Sequence, residues 1–128
     1  MIELWHCTDS RSLRALWALE ELGLEHRLHM LAFPPRFSDP SFLNTNPLGT
    51  VPFLRDGETE MTESSAITHY LAQKYGAGTL AVTPDEPAYG AFLNWLYHSD
   101  ATLTFPQTLI LRYGMFEATD RRQPQVVA

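Results

Sequence analysis

Residues Gly49 to Ser64, reading Gly-Thr-Val-Pro-Phe-Leu-Arg-Asp-Gly-Glu-Thr-Glu-Met-Thr-Glu-Ser, bring three binding devices into one short stretch. Val51-Pro52 starts an apolar run with a proline-restrained backbone, and Asp56-Gly57 can turn that run back as a hairpin. Glu63-Ser64 then sets an acid and a hydroxyl where a helix begins. Together they could hold a small zwitterionic peptide by its backbone. Each also has a plain structural use: a lone Val-Pro can simply start an edge strand, and Glu63 or Ser64 can cap the helix.

Other reactive side chains are scattered. Cys7 is the single cysteine, which rules out an internal disulfide framework and fits a reducing compartment. His26 and His29 lie three apart on a predicted strand and so face opposite sides, while His6 and His69 sit in other elements. The histidines therefore converge on no metal. No phosphate-binding glycine loop and no Ser-His-Asp arrangement is visible. Trp5, Trp17 and Trp95 read as core packing.

The elements that must position the stretch follow from spacing. Ile2 to His6 is short and rich in β-formers, a strand. Ser10 or Ser12 can cap the helix that carries Leu13, Leu16, Trp17, Leu19 and Leu22 to Gly23, a C-terminal stop. Glu25 to Leu31 alternates as a second strand, completing a βαβ unit. Pro34-Pro35 breaks the chain, and Ser38-Asp39-Pro40 starts a short helix running to about Asn46. After an Asn46–Gly49 turn, Val51–Arg55 and Glu58–Thr62 form the hairpin, and Ser64–Tyr75 is a helix ended by Gly76.

That order is an α/β module, β-α-β-α-β-β-α, expected over residues 1–77, with a linker at 78–86. Residues 87–128 read as all-α, with a kink or break at Pro106. One broken amphipathic helix leaves its apolar face uncovered, and the chain ends in Gln-Pro-Gln-Val-Val-Ala, so a truncated or cleaved molecule is expected. At 128 residues with 45% hydrophobic and 19% charged residues the composition is globular. A net charge of −6, with no basic cluster beyond Arg121-Arg122, argues against a nucleic-acid partner. No apolar run is long enough to span a bilayer and no signal pattern opens the chain, so a cytoplasmic protein without a membrane partner is expected.

Three stretches carry a family likeness: Ser10-Arg11-Ser12-Leu13-Arg14-Ala15-Leu16-Trp17-Ala18-Leu19-Glu20-Glu21-Leu22-Gly23, Asn46-Pro47-Leu48-Gly49-Thr50-Val51-Pro52, and Thr62-Glu63-Ser64-Ser65-Ala66-Ile67. In this order they resemble the thioredoxin-like domain of glutathione transferases, over nearly all of residues 1–76, followed by the start of the family's all-helical second domain. The resemblance implies glutathione as cosubstrate, no metal, an electrophilic small molecule as second substrate, and a homodimer.

It also implies a place for each part of the ligand. Pro52 would be cis, and Val51 N–H and C=O, with Thr50 beside them, would pair with the cysteinyl backbone as if glutathione were an added strand. Ser64 and the helix N-terminus would take the γ-glutamyl carboxylate, and Glu63 its ammonium. Arg36 and Phe37 would lie near the glycine end. The thiolate-stabilising group belongs at residues 9–11. Asp9 and Arg11 are not neutral hydroxyl donors, which leaves Ser10 as the choice and Ser12, equally a helix cap, as the runner-up.

Two other functions stay open. Cys7-Thr8-Asp9-Ser10 resembles the Cys-x-x-Ser motif of glutathione-dependent thiol-disulfide oxidoreductases, although Cys7 stands too early, at the strand end, and reads as a buried structural cysteine. A non-catalytic member used for binding or assembly is the other.

Overall fold

The structure, a computed structural model, describes residues 1–76 and 78–127. The chain divides into two compact units, Met1–Thr83 and Pro84–Ala128. Ala77 and Ala128, which bound the domains expected from sequence, lie outside the described residues.

In the first unit, β1 (Ile2–His6) is followed by α1 (Ser12–Glu21), β2 (His26–Met30), a short α2 (Pro35–Ser38) and a 3-10 segment, Pro40–Asn44. β3 (Phe53–Asp56), β4 (Thr59–Met61) and α3 (Ser64–Tyr75) complete it. The sheet order is β2-β1-β3-β4, with β1 parallel to β2 and antiparallel to β3, and β3 antiparallel to β4. This is the mixed α/β arrangement expected.

Strand alternation distributes the core over two faces. Leu4 pairs with Leu54, and these two with Ile2 face Ala15, Ala18 and Leu19 of α1 and Ile67 and Leu71 of α3. Leu4, Leu19, Leu54, Ile67 and Leu71 are fully buried, each worth about 2 kcal/mol of transfer free energy. Trp5 pairs with Phe53 and points the other way, onto Phe42 of the 3-10 segment. Trp5 thus packs a core as expected, but Trp17 is 63% and Trp95 67% exposed. Trp17 lies along its own helix and donates its indole N–H to Glu21 Oε1 at 2.8 Å, which satisfies its polar atom at the surface.

The stop of α1 is a Schellman motif: Leu24 N–H bonds Leu19 O and Gly23 N–H bonds Glu20 O, with Gly23 at φ +61°. The segment after β2 differs from expectation. Pro34-Pro35 does not only break the chain, because Pro35 opens the single turn of α2, where its missing N–H is no loss. The following helix starts as expected, with Asp39 accepting the Ser41 N–H and Pro40 in its first turn, but it is 3-10 and ends at Asn44.

In the second unit α4 (Tyr89–His98) runs into a π-helical segment, Ser99–Thr104, then α5 (Phe105–Leu109), a second π-helical segment, Ile110–Phe116, a 3-10 turn at Thr119–Arg121 and α6 (Pro124–Val127). The disturbance expected at Pro106 takes the form of wider turns on either side. Phe105 N–H reaches back five residues to Asp100 O, and Thr104 Oγ1 donates to Ser99 O at 2.6 Å, satisfying a carbonyl in the wider turn. Thr104 is the one buried side chain among the described residues of this unit, and Phe105 and Phe116 stand 58% and 63% exposed. No helix among the described residues is long and apolar enough to cross a membrane.

Candidate functional site

The turn before β3 is built from within. Asn46 is buried; its Nδ2 donates to Thr50 O at 2.9 Å and its Oδ1 accepts Leu48 N–H at 3.1 Å. Gly49 adopts φ +59°, and a Cβ there would come within 2.8 Å of Arg36 Cβ and 2.9 Å of Leu43 Cδ2. Only glycine combines that conformation with that approach. Thr50, Val51 and Pro52 leave this turn, and the Val51–Pro52 bond is cis, as is Phe33–Pro34. The hairpin then returns the chain to Thr62, Glu63 and Ser64. The result is a cleft of about 90 Å³ lined by Thr50, Val51, Pro52, Thr62, Glu63, Ser64 and, from the N-cap of α1, Arg11.

At the start of α3, Glu63 is the N-cap residue, but its side chain makes no capping bond. Among the described residues its carboxylate has no hydrogen bond or ion pair, so it remains available in the cleft. Ser64 is buried, and its hydroxyl accepts from Arg14 Nη1 at 3.3 Å, with Ser65 Oγ 3.4 Å from the same nitrogen. Arg14 follows Arg11 by one helical turn, so α1 presents two guanidinium groups on one side.

The loop from β1 to α1 is locked by hydroxyls. Strand alternation puts His6 on the α1 face, where it is buried and where Ser12 Oγ lies 2.6 Å from its Nδ1. Ser12 Oγ also accepts Cys7 N–H at 3.2 Å and lies 2.5 Å from Ser10 Oγ; Ser10 Oγ donates to Cys7 O at 2.8 Å. Burial lowers the His6 imidazole below its usual value, and a neutral His6 donating from Nδ1 to Ser12 Oγ lets Ser12 donate to Ser10 Oγ and Ser10 to Cys7 O, which satisfies the set. Ser10 Oγ accepts the Ser12 N–H at 3.3 Å and so satisfies one of the N–H groups that open α1, whereas Ser12 turns inward and Arg11, at the N-cap position itself, makes no side-chain bond. Burial also pushes the Cys7 thiol up, and Cys7 is wholly enclosed, which disfavours the thiolate.

Of the residues nominated from sequence, Thr50, Val51, Pro52, Glu63 and Ser64 come together in the cleft. Ser10 is half-buried and adjoins the cleft through Arg11, without lining it, and Ser12 is fully buried. Phe37 is 75% exposed and outside the lining, and Arg36 packs its Cβ towards Gly49. Arg11 and Thr62 are the lining residues that sequence reasoning missed. Arg11 is not a neutral hydroxyl donor, and its place between Ser10 and Ser12 is the sequence signal that points to it. A larger recess of about 480 Å³ in the second unit is lined by Tyr113, Glu117, Asp120 and Arg121 among others, with Glu117 paired to Arg121 at 3.5 Å. It offers surface charge without a nucleophile. Among the described residues no three His, Cys, Asp or Glu side chains gather as a metal site.

Residues 4–80 match the family described as glutathione S-transferase, N-terminal domain. The chain is 31% identical over 103 residues to glutathione S-transferase 3 of Schizosaccharomyces pombe, covering 80% of this chain and 43% of that protein. It is 37% identical over 109 residues to glutathione S-transferase GstB of Escherichia coli (strain K12), covering 81% and 51%. The chain thus spans about half or less of the length of these relatives. Among solved structures, the theta class glutathione S-transferase from Xanthomonas axonopodis pv. citri with glutathione bound superposes with a TM-score of 0.70 at 26% identity, over 98% of this chain and 61% of that one. A glutathione transferase homolog from Sulfitobacter, also with bound glutathione, shares the fold at a TM-score of 0.79 and 22% identity, over 99% and 62%.

Proposed function

This chain belongs to the glutathione S-transferase family, and from that premise we propose that it binds glutathione in the cleft and directs its thiolate onto an electrophilic small molecule. Residues 1–77 serve as the glutathione-binding domain, 78–86 as linker and 87–128 as the start of the helical domain. Val51 N–H and C=O, between Thr50 and Pro52, pair with the cysteinyl backbone. Ser64 and the N-terminus of α3 take the γ-glutamyl carboxylate, and Glu63 takes its ammonium. Phe37 serves the glycine end. The sulfur lies towards the start of α1, where Ser10, with Ser12 as runner-up, stabilises the thiolate by turning its hydroxyl from Cys7 O to the sulfur. The working enzyme is a cytoplasmic homodimer that acts in detoxification.

The observation that carries this reading is the convergence of Thr50, Val51, Pro52, Glu63 and Ser64 on one cleft in which the Glu63 carboxylate has no partner among the described residues. A buried Cys7 with a raised thiol supports conjugation over disulfide exchange.

The test is thermal denaturation with and without millimolar glutathione. A rise in melting temperature is expected, because a ligand bound to the folded state alone stabilises it. Glu63→Ala or Ser64→Ala should weaken binding about ten- to a hundredfold, the worth of a hydrogen bond to a charged group. No shift in the unaltered protein would overturn the reading. For the chemistry, Ser10→Ala should abolish conjugation of a chlorinated aromatic, and activity that survives it but disappears in Cys7→Ser would favour disulfide exchange.

A further inference from the structure

The group that α1 contributes to the cleft lining is Arg11, with neither Ser10 nor Ser12 in that lining. Ser12 is enclosed and held by His6 and Cys7, and the Ser10 hydroxyl donates back to Cys7 O. The guanidinium of Arg11, by contrast, has no hydrogen bond or ion pair among the described residues. Arg11 is also the N-cap of α1, so its cation adds to the positive end of that helix. A fixed positive charge that no protein group neutralises is suited to an anion, and the anion a transferase must create beside α1 is a sulfur. We infer that the Arg11 guanidinium supplies the positive charge that keeps the cysteinyl sulfur of bound glutathione ionised, alongside the hydrogen bond assigned to Ser10. The thiol proton leaves to solvent, and Arg11 itself gives up none.

The other charges around the cleft do not replace it. Glu63, across the cleft, is the one carboxylate in the lining and would disfavour an anion close to it, so the sulfur is placed at the Arg11 side. Arg14 reaches the Ser64 and Ser65 hydroxyls at 3.3 and 3.4 Å, at the start of α3. His6 lies buried behind Ser12, with its imidazole held towards neutrality. Asp9 is exposed beside Ser10 and carries the opposite sign. Arg11 is itself exposed, so water screens its effect, which is accordingly smaller than that of a buried cation.

The inference rests on the glutathione reading above, and its test separates the two. The ultraviolet absorbance of the thiolate is followed against pH for glutathione bound to the full chain, with the S-methylglutathione complex subtracted to remove Cys7 and the tyrosines. In Arg11→Gln the ionisation midpoint of the bound thiol should rise by about one pH unit, within the range one nearby charge produces. That is about a tenfold smaller thiolate fraction at neutral pH. Arg11→Lys, which keeps the charge, should restore most of it. An unchanged midpoint in Arg11→Gln overturns the inference, and unchanged ionisation with weakened binding would make Arg11 an anchor for a glutathione carboxylate instead. A rise that Arg11→Lys does not restore also overturns it, because charge would then not be the cause. Absence of any glutathione-induced thermal shift in the unaltered protein overturns the glutathione reading and this inference with it.

Discussion

Two polar clusters of the first unit are made from the same kinds of side chain and end in opposite states. At the far end of the hairpin the Asp56 carboxylate accepts hydrogen bonds from Tyr70 Oη at 2.8 Å, Lys74 Nζ at 2.8 Å and Tyr75 Oη at 2.6 Å, and Lys74 also donates to Tyr70. Every charge there is paired. In the cleft, the Arg11 guanidinium and the Glu63 carboxylate share one lining and neither has a partner among the described residues. The saturated cluster ties β3 to the last turns of α3 and so contributes to stability. The unsaturated cluster contributes little to the fold and keeps its electrostatic capacity for a ligand. Charged groups alone do not mark a site; charged groups held close and left unpaired do.

Removing the saturated cluster should give the largest change in stability. Asp56→Ala strands Lys74 and two tyrosine hydroxyls and should cost about 2 to 3 kcal/mol in urea denaturation, with glutathione affinity unchanged. Acid should act on the same cluster nearly as strongly. Burial raises the Asp56 carboxyl, but the hydrogen bonds from Lys74, Tyr75 and Tyr70 outweigh burial and bring it from 3.8 down to about 2. Because the folded value lies below the unfolded one, the stabilisation is complete above about pH 4 and is lost as pH falls towards 2, amounting to about 2 kcal/mol. Stability measured against pH should show that loss in the natural chain and lack it in Asp56→Ala. The smallest stability effect belongs to the cleft: Glu63→Gln should change the unfolding free energy by less than about 0.5 kcal/mol, because no partner loses a bond. The same substitution should remove much of the thermal stabilisation by glutathione. A Glu63→Gln protein as destabilised as Asp56→Ala would erase the distinction between the clusters.

What could be read in advance was short-range. The bounds of β1 and α3, the Gly23 stop of α1 and the turn at Gly49 follow from residue periodicity and glycine placement within a few positions. The cleft residues Thr50 to Ser64 were legible because one hairpin brings them together. The Asp56 cluster was not: Asp56 reads as a turn residue, and its partners stand fourteen to nineteen positions away on a helix whose roll depends on the core. Nor was the inward turn of Ser12, which reads as a cap until His6 is known to lie beneath it. The same holds for Glu63, whose cap and cleft uses have the same sequence signature; only its orientation at the start of α3 distinguishes them.

By itself, then, the sequence determined the order of elements, the family to which the chain belongs and the stretch that forms the cleft, because local backbone preference and hydrophobic period act over neighbouring residues. The tertiary structure decided which side chains remain free. Whether Ser10, Ser12 or Arg11 faces the cleft depends on how α1 packs against β1 and α3, and that packing is set by Leu4, Leu19, Ile67 and Leu71, core residues brought together from well-separated parts of the chain.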